Sequence, residues 1–480
     1  LVGSEMCIRD RNNRMQIWLE VKNFAKIKVA KVCVNKYSVF VGPNNCGKTF
    51  LMQLIEGING YWNKLIDNSA MNTLLYKESE SSKVFEINAT SFSEFVKVIN
   101  RNIESELQNI VSDTFEKNIP IGELNIEIKL EPDEEYTIYD GKGAESIEQL
   151  FKQTQNMQDE NALDILDNMN GRTPFGLLYK KNRKDDSGLT WALTMGTDNI
   201  EPEVAKRLVA MLLKLDSFFM PASRNGLMLL YREFFAHKTD SLLSFQKSGG
   251  TMQEQESRLL NLTKPMYNFL RFLQTYSLDE KHMEHFQKEI QFYNEKIIDG
   301  HITTDGQNGF QYSNRLGMEN VPMYLTSSMV NEVAPLFLVM TSKNNYERFI
   351  IDEVEASLHP EKQRELVRLL NRLYNRGCKF IISTHSDTFV NKLNNLAILS
   401  NYVHNNDDEN ILNQFEVDKT DLIKIEDLYV YEFVQTESGQ CEVHEKIFNS
   451  KYGYQFDLFT QSALTIYNEA VKLEELTKDA

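Results

Sequence analysis

Two short motifs of this chain are separated by about 300 residues. The first, Gly42–Thr49 (GPNNCGKT), fits the pattern G-x-x-x-x-G-K-[ST] in full. It follows a strand-like run, Tyr37–Val41, and precedes a helix-like run, Phe50–Ile55, which is the context in which this pattern binds phosphate. The second, Phe349–Glu353 (FIIDE), is an apolar strand that ends in two carboxylates. The separation predicts a large insertion inside one nucleotide-binding fold.

The loop between the strand and the helix carries the predicted phosphate contacts. Its backbone N–H groups form a concavity at a helix N-terminus, where the helix dipole also favours an anion. Lys48 is predicted to neutralise the β- and γ-phosphates, and Thr49 to ligate Mg²⁺. We therefore expect ATP and Mg²⁺ as cofactors, against the alternative of a glycine-rich turn. The predicted nucleotide-binding residues of this segment are Gly42, Asn44, Asn45, Cys46, Gly47, Lys48, Thr49 and Phe50.

The ends of two later apolar strands supply the other catalytic candidates beside Lys48. Asp352 is predicted to hold Mg²⁺ through water, and Glu353 to orient or deprotonate the attacking water. The run Ile381–His385 is a second apolar strand, and neighbouring parallel strands end at one edge of a sheet, where ligands bind. His385 is therefore predicted to hydrogen-bond the γ-phosphate and sense its loss. The alternatives are a solvated strand end and a structural histidine.

The pattern of the whole chain predicts an α/β fold. Helices and strands alternate after Val330, which indicates a mostly parallel sheet covered by helices. The alternating runs Leu124–Leu130 and Leu189–Met195 predict an antiparallel β-subdomain. The stretch Gly226–Ile298 is helical but has no sustained heptads, so we expect a short inserted helical arm and no long coiled coil.

The expected boundaries follow from these elements. Residues 1–14 are interpreted as a disordered or adapter-derived leader, because Leu1–Arg11 can be back-translated into a transposon adapter used in sequencing libraries. Met15 is then the expected native start. The remaining divisions are the N-terminal half of the nucleotide-binding fold with its loop (15–70), the β-subdomain with a helical insert (71–216), the helical arm and hairpin (217–320), the C-terminal half of the nucleotide-binding fold (321–400), and closing strands with a helix (401–480).

Composition narrows the possible partners and compartment. Lys and Arg total 52 and Asp and Glu total 69, a net charge of −17, which argues against a protein coated in nucleic acid but leaves room for a local basic groove. No apolar run approaches the roughly 20 residues that a spanning helix needs, so we expect no membrane association. The cysteines are scattered without a C-x-x-C pair, which favours a reducing cytoplasm. They are Cys7, Cys33, Cys46, Cys378 and Cys441.

Together, the segments GPNNCGKT, IIDEVEASLHP and ISTHS resemble the ABC-type ATPases of the RecF, SMC and OLD group of the AAA family, over residues 15–60 and 320–395. The resemblance implies a dimer of heads that sandwiches two nucleotides, with Glu355–Pro360 crossing the interface. It also implies that Ser327 or Ser328, in the signature-like segment Leu325–Ser328, contacts the partner's γ-phosphate. The chain has Met329 where that group usually has glycine, and an ordinary serine N-cap is the alternative.

Two other segments have open interpretations. The segment Pro221–Arg224 (PASR) follows a buried strand and resembles a segment of OLD-like ATPases. Arg224 is expected to reach phosphate or the helical arm, or to form a structural turn. The basic run Lys180–Lys184 is interpreted as a solvated hairpin tip, with DNA contact as the alternative. No glutamine is assigned between head and arm.

The function expected is ATP hydrolysis by the ATPase or sensor component of a DNA-linked or phage-defence system. No D-x-D pair follows Asn391, since Asp407–Glu409 (DDE) lies in a polar linker, so no Toprim nuclease is expected in this chain. The arrangement is similar to the ATPase components of Septu and PARIS, in which a separate nuclease or toxin is the effector. The alternatives are a RecF- or SMC-like repair or chromosome ATPase that binds DNA directly, and a weakly catalytic nucleotide-gated scaffold.

Overall fold

The computed structural model describes residues 6–7, 15–78, 83–130, 134–139, 173–181, 188–195, 206, 209–210, 213, 215–247, 262–304, 309–315 and 320–478. These residues form two compact units. The first unit comprises residues 1–20, 58–110 and 123–215, and the second comprises 21–57, 111–122 and 216–480. Both motifs of the predicted site belong to the second unit.

A curled, mostly parallel sheet organises the second unit. In the described part of the chain its strand order is β11-β15-β16-β4-β17-β18-β3-β2, and β7 lies next to β2 in the first unit. The strands from β11 to β17 in this order are parallel, whereas β17 and β18 form an antiparallel pair. The strand bounds are β2 Gln16–Phe24, β3 Ile27–Cys33, β4 Tyr37–Val41, β7 Glu123–Lys129, β11 Ser217–Met220, β15 Arg348–Ile351, β16 Lys379–Thr384, β17 Leu428–Gln435 and β18 Cys441–Lys446.

Apolar composition explains why the middle of this sheet is internal. Every residue of β4 and of β15 is buried, and these strands read YSVFV and RFII. Such continuous apolar runs are typical of parallel strands that are covered on both faces. A small antiparallel sheet also belongs to this unit, with the order β12 Gly300–Thr304, β13 Phe310–Asn314 and β14 Val321–Pro322.

The first unit contains a separate antiparallel sheet. In the described residues its order is β1-β10-β9-β8-β6-β5, with β1 Met6–Cys7 paired to Trp191 and Ala192 of β10. The bounds of the other strands are β5 Leu75–Glu78, β6 Lys83–Asn88, β8 Glu134–Tyr139, β9 Thr173–Lys181 and β10 Gly188–Met195.

All of the described helices follow β4 in the chain. In chain order the described helices are α1 Lys48–Asn59, α2 Trp62–Leu65, α3 Asn68–Met71, α4 Ala89–Phe115, α5 Arg224–Lys247, α6 Lys264–Gln274, α7 Glu280–His285, α8 Gln287–Phe292, α9 Ser328–Thr341, α10 Pro360–Asn375, α11 Asp387–Asn406 and α12 Asp457–Lys478. A π-helical turn, Tyr293–Ile297, follows α8. Short 3-10 turns occur at Met323–Leu325, Glu409–Phe415, Lys419–Asp421 and Ile425–Asp427.

The predicted fold class is confirmed. The chain has an α/β fold with a mostly parallel, helix-covered sheet and a separate antiparallel sheet. The sequence had assigned no element to α4, a helix of 27 residues. The division into six segments stays a prediction. The polar stretch 144–169, whose residue pattern predicts the helical insert of the β-subdomain, and the basic residues 182–184 lie outside the described residues.

Candidate active site

Three parallel strands bring the separated motifs to one edge of the sheet. Strand β16 lies between β15 and β4, with Ile351 opposite Ile382 and Thr384 opposite Val41. The residues that follow these strands therefore emerge side by side. Asp352 follows β15, His385 follows β16, and the phosphate-type loop follows β4. The folding of this sheet closes a sequence gap of 303 residues between Thr49 and Asp352.

The loop between β4 and α1 is held close to the sheet at two glycines. A Cβ on Gly42 would lie 2.7 Å from the Cβ and carbonyl oxygen of Phe433, and a Cβ on Gly47 would lie 2.9 Å from Cγ1 of Ile27. Gly47 also has φ +91°, and Asn45 has φ +63°, both in the left-handed region. Glycine and asparagine are the residues that adopt this region most easily, so the sequence of the loop fits its backbone path.

Lys48, the first residue of α1, folds back over this loop. Its Nζ donates to the carbonyl oxygens of Gly42 at 2.9 Å and Pro43 at 2.7 Å, and the residue is 5% exposed. Burial lowers the pKa of Lys48, while Cys46 and the nearby carboxylates, first Asp352, act in the opposite direction. The ammonium group is therefore a buried cation whose partners are neutral carbonyls, and an anion at the loop would stabilise it.

A buried carboxylate connects the loop to the strand ends. Thr49 Oγ1 donates to Asp352 Oδ2 at 2.7 Å, and Ser383 Oγ donates to Asp352 Oδ1 at 2.6 Å. Asp352 is 2% exposed and Ser383 is fully buried. Ser383 was not among the predicted site residues. The signal that could have identified it is a hydroxyl inside the otherwise apolar strand that precedes His385.

Glu353 adopts a backbone conformation that glutamate rarely takes. Its φ is +47°, in the left-handed region, which costs about 1–3 kcal/mol for a residue with a Cβ. The surrounding structure holds it there, because its N–H donates to Ser383 Oγ at 2.8 Å and its carbonyl accepts from Ala356 N at 3.0 Å. The sharp turn directs its side chain, which is 46% exposed, away from the strand.

His385 lies beside Glu353 at the end of the middle strand. Its Nε2 is 3.9 Å from Glu353 Oε1, and its backbone N–H donates to Glu355 Oε1. Burial and the charge of Lys48 lower the pKa of His385 below its ordinary value of 6.5, against the opposing effects of Glu355 and Glu353. The ring is therefore neutral at neutral pH and can donate one hydrogen bond and accept another.

The structure shows which groups Arg224 contacts. This arginine is 2% exposed, and its guanidinium donates to the carbonyl oxygens of Asp352 at 2.6 Å, Glu353 at 3.1 Å and Pro221 at 3.2 Å. It also forms an ion pair with Glu332, with Nε 3.0 Å from Oε1. All of these partners are protein groups behind the strand ends. These contacts fit the alternative of a structural turn, and a contact of Arg224 with phosphate stays untested.

The signature-like serines occupy the start of a different helix, α9. Ser327 is the N-cap of α9, and its Oγ accepts from Val330 N at 3.4 Å. Ser328 is the first residue of the helix, and both serines are exposed. Ser327 therefore acts as the N-cap of α9, as the alternative interpretation states. Because Ser327 is exposed, it can also contact a second molecule.

Phe50, also predicted to contact nucleotide, is 41% exposed and stacks on Phe115 with ring centroids 5.5 Å apart.

The side-chain oxygens of Thr49 and Asp352 are suitable ligands for the Mg²⁺ ion of a nucleoside triphosphate. Mg²⁺ prefers oxygen ligands, and protein sites typically supply one or two of them, with phosphate and water completing the octahedron. The hydroxyl of Thr49 and the carboxylate of Asp352 are 2.7 Å apart and meet that description. In the described residues there is no group of three or more His, Cys, Asp or Glu side chains arranged for a metal.

The fold and the site together define a nucleotide-binding α/β protein. A family model described as "AAA ATPase domain" matches residues 15–390. The match covers most of the chain, and the chain belongs to this family. Family membership assigns it ATP-binding ATPase activity at the level of the family.

Among solved structures, the SMC head domain from Thermotoga maritima is similar at 10% identity and a TM-score of 0.31, covering 90% of this chain and 98% of that chain. The Smc head domain with an extended coiled coil bound to the C-terminal domain of ScpA, derived from Pyrococcus furiosus, also has 10% identity and a TM-score of 0.31, covering 95% and 99%. A comparison with curated proteins found no match. None of the helices in the described ranges has the length and apolar character needed to cross a bilayer.

Proposed function

We propose that this chain hydrolyses ATP at the sheet edge where β4, β15 and β16 end, within a dimer of heads that encloses the nucleotides. The observation that carries the proposal is the connected set Thr49–Asp352–Ser383, with hydrogen bonds of 2.7 and 2.6 Å. It joins the loop to the acidic strand end through direct hydrogen bonds between side chains. A preorganised arrangement of this kind supports positioning and electrostatic stabilisation, which dominate phosphoryl transfer.

Each residue has a role that its contacts support. Lys48 exchanges its two loop carbonyls for phosphate oxygens, a stronger partner for a buried cation. Thr49 and Asp352 would hold Mg²⁺, which when bound neutralises charge on the phosphates. Glu353 is the general base or water-orienting group, since its carboxylate is accessible and rigidly mounted. His385 donates to the γ-phosphate from a neutral ring.

The exposed surface around Ser327 and Ser328 supports the proposal that a second copy of the chain binds there. Next to these exposed serines, Tyr324 is 70% exposed and Leu325 is 65% exposed, so two large apolar side chains stand at the start of α9. Met329, which replaces the usual glycine, is half-buried and packs against the core of the second unit. The methionine side chain therefore lies away from the serine hydroxyl face and leaves the proposed contact with the partner's nucleotide feasible.

We further propose that the protein is the ATPase or sensor component of a DNA-linked or phage-defence system, with a nuclease or toxin in a separate chain. This role rests on the sequence resemblance. In the described residues after β16, the β17–β18 pair lies between β4 and β3 of the sheet. Cytoplasmic location and direct DNA binding stay predictions.

Two substitutions test the proposed reaction. Glu353→Gln is expected to bind ATP normally, to lose turnover by about 10²–10⁴-fold, and to accumulate as an ATP-dependent dimer in light scattering. Lys48→Ala is expected to lose ATP binding, because the loop then lacks its buried cation. Equal inactivity of wild type and Glu353→Gln would instead indicate a nucleotide-gated scaffold, and a Glu353→Gln protein that stays monomeric with ATP would contradict the dimer.

A further inference from the structure

Arg224 occupies a buried junction between three elements of the second unit. It is the first residue of α5 and lies shortly after β11. Its Nη1 and Nη2 donate to the carbonyl oxygens of Asp352 and Glu353, which directly follow β15. Its Nε donates to the carbonyl oxygen of Glu332 at 2.9 Å and lies 3.0 Å from the carboxylate of the same residue. With Arg224 and Glu332 each 2% exposed, this is a buried ion pair.

The guanidinium fixes the peptide that aims the proposed catalytic base. Glu353 is held in its left-handed conformation from both sides, at its N–H by Ser383 and at its carbonyl by Arg224 Nη2, with distances of 2.8 and 3.1 Å. The neighbouring carbonyl of Asp352 is held at 2.6 Å by Nη1. A planar fork with several donors can reach both carbonyls at once, whereas an ammonium group on a lysine stem cannot reproduce that geometry.

The other end of the ion pair lies on the helix that begins with the exposed serines. Glu332 is four residues after Ser328 in α9, so the two residues lie on one face of the helix, one turn apart. All residues of α9 from Val330 to Thr341 are buried. Well-packed elements of this kind move as units rather than bending locally. A displacement at the serine end of α9 is therefore passed to Glu332 and Arg224.

We propose that Arg224 is a positioning residue that couples the start of α9 to Glu353. Docking of a second copy at Ser327 and Ser328 would shift α9, and the Glu332–Arg224 pair would carry that shift to the carbonyls of Asp352 and Glu353. The inference rests on the proposed ATP-dependent dimer. It adds that Arg224 acts through protein contacts, and that hydrolysis depends on the head interface through this ion pair.

The test compares Arg224→Lys with Arg348→Lys in the full chain. Arg348 is a matched control, because it is also buried and donates to Val34 O and Ser217 Oγ at the opposite end of β15. Arg224→Lys is expected to lower kcat by about ten- to a hundredfold through misplacement of the base. Its ATP affinity and KM should stay within about twofold of wild type, because the loop is untouched.

Arg348→Lys is expected to lower the melting temperature to a similar extent and to retain wild-type kcat. If Arg224→Lys and Arg348→Lys have the same kcat at a temperature where both are folded, Arg224 has only a structural role and the proposal is overturned. The same holds if Arg224→Lys lowers ATP affinity as much as kcat.

A second measurement separates the coupling from the proposed dimer. In the Glu353→Gln background, adding Arg224→Lys should leave the ATP-dependent dimer intact in light scattering, because the serine surface itself is unchanged. If the double variant no longer dimerises, Arg224 stabilises the surface formed by Ser327 and Ser328, and the proposed coupling of that surface to Glu353 through Arg224 is refuted. If Glu353→Gln alone forms no dimer, the proposed function fails. The kcat comparison with Arg348→Lys then still decides whether Arg224 positions Glu353.

Discussion

Ser383 offers a sharp test of the site because one hydroxyl serves both carboxylate residues. Its Oγ donates to Asp352 Oδ1 at 2.6 Å and accepts from the backbone N–H of Glu353 at 2.8 Å. The side chain is fully buried, so water is not available to replace it. Replacement by alanine should therefore affect the stability of the fold and the orientation of the base at the same time.

The magnitude follows from the two lost hydrogen bonds. A hydrogen bond to a charged group contributes about 1.5–3 kcal/mol, and a buried N–H left without a partner costs about 1–3 kcal/mol. We expect Ser383→Ala to lower the free energy of unfolding by about 3–5 kcal/mol. Because the N–H of Glu353 also loses its anchor, kcat should fall by about ten- to a hundredfold, which corresponds to about 1.4–2.8 kcal/mol in the transition state.

Ser38 provides the control within the same sheet. It lies on β4, is fully buried, and donates to the carbonyl oxygen of Cys33 at 2.6 Å. Ser38→Ala removes one neutral hydrogen bond and should cost about 0.5–1.5 kcal/mol while leaving turnover unchanged. Urea unfolding followed by far-UV circular dichroism gives the stabilities, and phosphate release gives kcat.

The proposed role of the Ser383 hydroxyl is refuted if Ser383→Ala and Ser38→Ala lose equal stability and both retain wild-type turnover. That result would mean that Asp352 and Glu353 keep their orientation without the shared hydroxyl. A loss of stability in Ser383→Ala with unchanged kcat would also contradict the role of the Ser383 hydroxyl in orienting Glu353.

Two further predictions concern the ring of His385 and the loop glycines. In a nuclear magnetic resonance titration the pKa of His385 should lie below 6.5. In Lys48→Met this pKa should rise, because a nearby cation disfavours the imidazolium, but it should stay below 6.5 because burial is the larger cause. An unchanged pKa of His385 in the variant would show that Lys48 is not a cause. Because the folded pKa is lowered, the stability that His385 contributes is present above about pH 6.5 and is lost as the pH falls through the folded pKa. Gly42→Ala should weaken ATP binding by at least about tenfold, because the new Cβ would lie 2.7 Å from Phe433. Gly226→Ala, where a Cβ would meet nothing within 4 Å, should bind ATP normally, and equal affinities in the two variants would contradict the packing argument.

Much of the fold was predictable because strong local patterns mark its elements. The loop Gly42–Thr49 lies between a strand and a helix as its pattern predicts, and β15 and β16 appear where apolar runs precede polar ends. The helix α4 was missed although its sequence carries a signal for it, because its buried apolar residues from Phe92 to Ile110 recur at spacings of three and four residues. Arg224 was found as a candidate with its contacts left open, because nothing local reveals that the partners Glu332 and Glu353 lie 108 and 129 residues further along the chain.

By itself, the sequence determined the chemistry available: a phosphate-type loop, two carboxylates after an apolar strand, and a histidine after the next. Those features are local, because strands, loops and helix starts are specified by neighbouring residues. Only the tertiary structure decided which groups act together. The order of β15, β16 and β4 brings Thr49 within 2.7 Å of Asp352, and it turns Ser383 and Arg224 into the supports of Glu353. Contacts of this kind depend on register and burial across hundreds of residues, which no short motif encodes.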